Sequence, residues 1–151
     1  VWANIGQGGL TMFVIRLVAL AGFLWASLAV SAAPADERPE IRFARGAIDA
    51  TIQGAVVRGD RDIYPISAAV GQTMTVEISA LEDNAVFQIF PPGTDYTRDV
   101  SQIWVFYGQA VRGADGDTRR WSGRLIGGGQ YLIVVGGTRG NATYRLNVRI
   151  E

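Results

Sequence analysis

Apolar and polar residues alternate along much of the chain, in short runs separated by turn residues. Over 73–79, Met74, Val76 and Ile78 share one face, while Thr73, Thr75, Glu77 and Ser79 share the other. Tyr144, Leu146, Val148 and Ile150 alternate in the same way with Arg145, Asn147 and Arg149. This period of two is that of a strand with one buried face. In 85–90, Val86, Gln88 and Phe90 fall on one side and Ala85, Phe87 and Ile89 on the other, until Pro91-Pro92-Gly93 stops the run. The run 131–135 is apolar on both faces, as in a central sandwich strand. Less regular runs at 41–44, 47–57, 63–69, 103–107 and 120–125 predict further strands. Turns rich in Gly, Asp and Asn punctuate them at 58–62, 70–72, 81–84, 112–117 and 126–130. No sustained helical period appears after residue 41. The pattern predicts an all-β fold, an antiparallel β-sandwich over 41–151, with 91–119 a long excursion between sheets.

The first residues read differently. From Met12 the chain carries one basic residue, Arg16, then an uncharged apolar run from Leu17 to Val30, then Val30-Ser31-Ala32. This is the order of a secretory signal peptide over 12–32, with cleavage before Ala33. The rival is a retained anchor, but the apolar run is shorter than the roughly 20 residues that a span requires. Residues 1–11 read as an upstream extension, and the polar, Pro-rich stretch 33–40 as a linker. The expected location is therefore the periplasm or the exterior, with no membrane association after cleavage.

Composition narrows the chemistry. The chain has no Cys and no His, and its 14 basic residues, all Arg, balance 14 acids. Disulfides, thiol nucleophiles, the usual zinc sites and His-based acid–base schemes are excluded. A formal charge of zero gives no reason to expect a nucleic-acid partner. Asp115-Gly116-Asp117 and the Asp60/Asp62 pair look like pieces of calcium loops. They lack the remaining oxygen donors and the distant Glu, so no metal and no cofactor is expected. No carboxylate pair stands out as a catalytic constellation, so the chain is read as a non-enzyme.

Several features together carry a family resemblance. They are Gly59-Asp60 before Tyr64, Gly71-Gln72 before an alternating strand, Gly129 before Tyr131, and Thr138-Arg139 before the last strand. With these, residues 41–151 resemble the bacterial pre-peptidase C-terminal type of β-sandwich. They are most similar to its stand-alone periplasmic branch, which includes inhibitors of goose-type lysozyme. The segment Thr138–Ala142 is shorter than the basic loop expected there, and 100–120 has no counterpart in the resemblance. The resemblance implies a periplasmic binding protein that inhibits a lysozyme-type cell-wall hydrolase by filling its cleft with a loop. The alternative is a non-enzymatic envelope module that binds glycan or protein.

Five residues are candidates for partner contact. Arg139, with Asn141 in the same turn, is either a probe into an acidic cleft or an ordinary turn residue. Lysozyme clefts hold paired carboxylates, which a planar guanidinium can bind through two bonds. Asn141-Ala142-Thr143 also matches a glycosylation sequon. Tyr64 either presents its hydroxyl at one end of the sandwich or packs in the core. Trp104 and Tyr107, grouped with Phe106 and followed by Trp121, form either an exposed aromatic patch or the cover of one end of the core.

Overall fold

A computed structural model describes residues 38–151. The readings of 1–11 as an extension and 12–32 as a signal peptide lie outside the described residues, as does 33–37 of the linker. Among the described residues there is no helix.

The strands are β1 (Asp49–Val56), β2 (Arg61–Ala68), β3 (Thr73–Ala80), β4 (Ala85–Phe90), β5 (Asp95–Arg98), β6 (Trp104–Tyr107), β7 (Arg120–Arg124), β8 (Gly129–Gly137) and β9 (Ala142–Ile150). They form one sheet in the order β1-β9-β3-β7, a second in the order β2-β8-β4, and the small hairpin β5-β6. All pairings are antiparallel. The fold is the all-β sandwich that the alternation implied.

The main core lies between the two larger sheets. Met74, Val76, Ile78, Leu146 and Val148 from one meet Ile66, Phe87, Ile89, Ile133 and Val135 from the other. A second cluster lies on the opposite face of the β2-β8-β4 sheet. There Ile63, Phe90, Leu132 and Val134 are buried under Tyr96, Trp104 and Phe106 of the hairpin. Phe90 and Phe106 stack with ring centroids 4.7 Å apart. The doubly apolar character of 131–135 has its cause here: β8 supplies one core with its odd residues and the other with its even ones.

Two expectations need correction. Residues 41–44 form no strand. They belong to an arm that crosses the edge of β2 with Arg38 N–H on Ile63 O at 3.0 Å and Ile41 N–H on Pro65 O at 2.8 Å. Donors three residues apart meeting acceptors two apart cannot continue as a ladder, and Pro39 supplies no N–H. Ile41 is nevertheless buried in the main core. The stretch 91–119 is more ordered than a plain excursion, since it holds β5 and β6. β5 escaped the pattern because Asp-Tyr-Thr-Arg contains a single large apolar residue.

Candidate partner-binding site

Three loops meet at one end of the sandwich: 57–60 after β1, 81–84 after β3 and 138–141 after β8. Strand register brings them there, with Val56 opposite Ala142 and Ala85 opposite Gly137. Asn84 ties them together. It is buried, and its side-chain amide donates to Arg139 O at 3.2 Å and Asn141 O at 2.9 Å. Thr138 N–H returns a bond to Asn84 O at 2.9 Å. Asn141 Oδ1 accepts from Arg58 N–H at 2.9 Å, which fixes the first loop to the last. Gly140 turns with φ 65°, and a Cβ on Gly137 would lie 2.8 Å from Gly140 O. The 138–141 turn is therefore held by bonds on both sides and has no room for larger residues at its base.

Arg139 stands exposed on this frame. Its Nη2 donates to Glu82 O at 2.8 Å, so one edge of the guanidinium is fixed while the group as a whole faces solvent. Exposed apolar side chains sit on the neighbouring loops, Val57 beside Arg58 and Leu81 beside Glu82. Asn141 is committed to the frame through its side-chain oxygen. Arg139 and Asn141 are thus brought together in one exposed turn, as the sequence placed them, the first with its guanidinium to solvent and the second bonded to the neighbouring loop.

The other candidates separate. Tyr64 is 4% exposed, which removes it from any contact surface; the packed alternative is the one observed. Trp104 is half-buried and structural. Its indole N–H reaches Asp60 Oδ1 at 3.2 Å, and the Arg98 guanidinium lies 4.7 Å above its ring. The same Asp60 oxygen accepts from Arg98 at 2.8 Å and Arg61 N–H at 2.8 Å. Asp60 therefore anchors the hairpin to the 57–60 loop. Tyr107 is exposed, but it lies at the far end of β6 from Trp104. The aromatic group is divided between core cover and surface and does not form one patch.

A buried polar group behind this end was not anticipated. Asp62, 1% exposed, accepts from Arg38 Nε at 2.9 Å and Nη2 at 2.7 Å, and from the Tyr144 hydroxyl. Since Tyr144 gives its proton to the carboxylate, its oxygen accepts from the Tyr64 hydroxyl at 2.7 Å. Burial, then the bonds to Asp62 and Tyr64, hold the Tyr144 phenol far above the usual range; Tyr64 is raised too, chiefly by burial. Burial works against the Arg38 charge, but Asp62 outweighs it and the guanidinium pKa is raised. Gly54 on β1 makes space for the pair: a Cβ there would lie 2.4 Å from the Tyr144 oxygen and 2.8 Å from that of Tyr64. Asp60 and Asp62, which look like a calcium-loop fragment in sequence, serve two separate anchors. The available signal was the Asp-x-Tyr spacing of 62 and 64, which puts both side chains on one face of β2.

Comparison with known structures supplies the relationship. The periplasmic lysozyme inhibitor of g-type lysozyme PliG from Aeromonas hydrophila is 33% identical, with a TM-score of 0.61 over 77% of this chain and 96% of its own. The chain belongs to the PliG family. Two further PliG structures share the fold at 24% identity. A mutant of the Escherichia coli protein has a TM-score of 0.53 over 78% of this chain and 100% of its own. The Salmonella Typhimurium protein has 0.52 over 77% and 98%. No family model and no curated protein sequence matches the chain. Turn glycines and alternating strands had pointed to the PliG branch, and the structural match bears that reading out. Among the described residues no helix is long and apolar enough to cross a membrane.

Proposed function

We propose that this protein is a periplasmic inhibitor of a lysozyme-type cell-wall hydrolase, and that the 138–141 turn enters the enzyme's cleft with Arg139 foremost. The observation that carries the reading is the exposed Arg139 guanidinium on a turn cross-braced by Asn84 and Asn141. A cleft built around carboxylates attracts a guanidinium, and a turn that is already rigid loses little entropy on entering it. Val57 and Leu81 flank the turn with apolar surface that suits a protein partner better than a sugar. PliG of Aeromonas hydrophila, described as an inhibitor of g-type lysozyme, supports the choice of target.

The test is lysis of a cell-wall suspension by goose-, chicken- and invertebrate-type lysozymes, with and without the chain from Ala33 to Glu151. Inhibition of the goose type that is lost in Arg139→Ala, with the melting temperature unchanged, is the expected result. Inhibition that survives Arg139→Ala would move the contact away from this turn. No inhibition of any type would leave the protein as an envelope-binding module.

A further inference from the structure

Open sheet edges are hazards that folds usually cover. Here the edges are β1 and β7 of one sheet and β2 and β4 of the other. The arm 38–41 bonds to the β2 edge at Ile63 and Pro65, and Arg38 Nη2 also reaches Ala55 O on β1 at 3.3 Å. The segment 111–118 covers β4, with Val111 N–H on Ile89 O, Ile89 N–H on Ala114 O and Phe87 N–H on Thr118 O. Among the described residues β7 has no such cover. Arg119 and Leu125 turn their bonding groups toward β3, through Ile78 N–H on Arg119 O and Leu125 N–H on Gln72 O. By the alternation of an antiparallel ladder, the N–H and C=O of Ser122 and its alternate neighbours Arg120 and Arg124 point to the open side.

A groove of about 570 Å³ runs beside that edge, between 109–112 and β7, at the opposite end of the sandwich from Arg139. Trp121 forms its wall. The ring is pinned by its N–H on Arg112 O at 3.1 Å, and it lies across Gly123, where a Cβ would stand 2.5 Å from the ring. Val111 and Leu125 add apolar lining, and Gln109 adds an amide. Among the described residues that line it there is no acid. Arg112 and Arg124 are both exposed, and no ion pair among the described residues engages either.

We propose that the free edge of β7 takes up an extended peptide of alternating apolar and acidic residues. Its backbone would bond to Ser122, its apolar side chains would enter the Trp121 groove, and its carboxylates would meet Arg112 and Arg124. An added strand keeps the side-chain alternation of its neighbour, so residues level with Trp121 and Gly123 point into the groove. A second copy of this chain is a poor occupant. Antiparallel pairing about Ser122 would set Arg120 against Arg124 of the other copy, and like charges directly opposite are destabilising.

The test uses a dye-labelled peptide alternating valine and aspartate, titrated with the purified protein and followed by fluorescence anisotropy. Ser122→Pro removes an N–H that takes no part in the β3 ladder, so the fold is retained and binding is abolished. A peptide methylated on its backbone nitrogens makes the same test without altering the protein, and it too fails to bind. Reversing both charges, Arg112→Glu with Arg124→Glu, weakens binding about tenfold or more. Absence of binding, or binding that survives both backbone blocks, overturns the proposal. Two other outcomes overturn it as well. One is self-association, read by sedimentation, that Ser122→Pro abolishes. The other is quenching of Trp121 by an acidic oligosaccharide when no peptide binds.

Discussion

The carboxylate of Asp62 holds together three elements that share no ladder at that point: the arm through Arg38, β2 on which it stands, and β9 through Tyr144. Asp62→Ala leaves the Tyr144 hydroxyl with one partner in place of two and removes the only anion facing the Arg38 guanidinium among the described residues. A hydrogen bond to a charged group contributes about 1.5–3 kcal/mol. The Arg38 share is smaller, because its side chain is 31% exposed and water replaces part of what is lost, leaving about 0.5–1 kcal/mol. The expected destabilisation is about 3 kcal/mol, a large part of the margin of a small domain. Urea unfolding followed by tryptophan fluorescence measures it. The diagnostic quantity is the coupling between Asp62→Asn and Tyr144→Phe, expected at about 1–2 kcal/mol because the two groups share one hydrogen bond. A cost for Asp62→Ala below about 1 kcal/mol, or strict additivity in the cycle, would refute the reasoning.

Other outcomes follow from the same geometry. Gly54→Ala forces a methyl into the Tyr144–Tyr64 pair and costs about 1–3 kcal/mol in the same unfolding assay. The raised tyrosines set the alkaline limit. Their folded pKa values lie above the unfolded value, so their stabilisation is complete below about pH 10 and is lost as the unfolded chain deprotonates above it. Stability then falls by up to about 1.4 kcal/mol per pH unit for each of them, and Tyr144→Phe makes the decline shallower in denaturant titrations across that range. Trp104→Ala removes the indole that joins the hairpin to Asp60 and costs about 2 kcal/mol, whereas exposed Tyr107→Ala stays within about 0.5 kcal/mol. Differential scanning calorimetry of the two variants separates these values.

The strands that alternate cleanly were legible because a buried face imposes a period of two: β3, β4, β8 and β9 appear where the pattern put them. β5 was not, because its stability comes from Phe106, Trp104 and Phe90 nearby rather than from its own residues. The arm at 41–44 failed for a related reason: Ile41 and Phe43 look like strand residues, but only the spacing of the Arg38 and Ile41 bonds to β2 shows that no ladder forms. At the candidate site, Arg139 was visible as a charged residue in a glycine-rich turn. Asn84, which braces that turn from a distant loop, gave no signal beyond its place in the Leu-Glu-Asp-Asn stretch. The Asp62 group was hidden for the same reason, since its members are separated by up to 106 positions, from Arg38 to Tyr144. Local sequence reports periodicity well, and it reports meetings between distant loops poorly.

The position of β9 has a consequence for how the chain is made. Its partners are β1 on one side and β3 on the other, with Asp49 opposite Arg149 and Met74 opposite Ile150. Until β9 has left the ribosome, β1 and β3 have nothing between them, and most of one wall of the main core is missing. Pairings this distant in sequence also form slowly, since loop closure comes before any gain. The main core is therefore closed by the last of its strands to be made, and an intermediate without β9 exposes two unpaired edges inside that sheet.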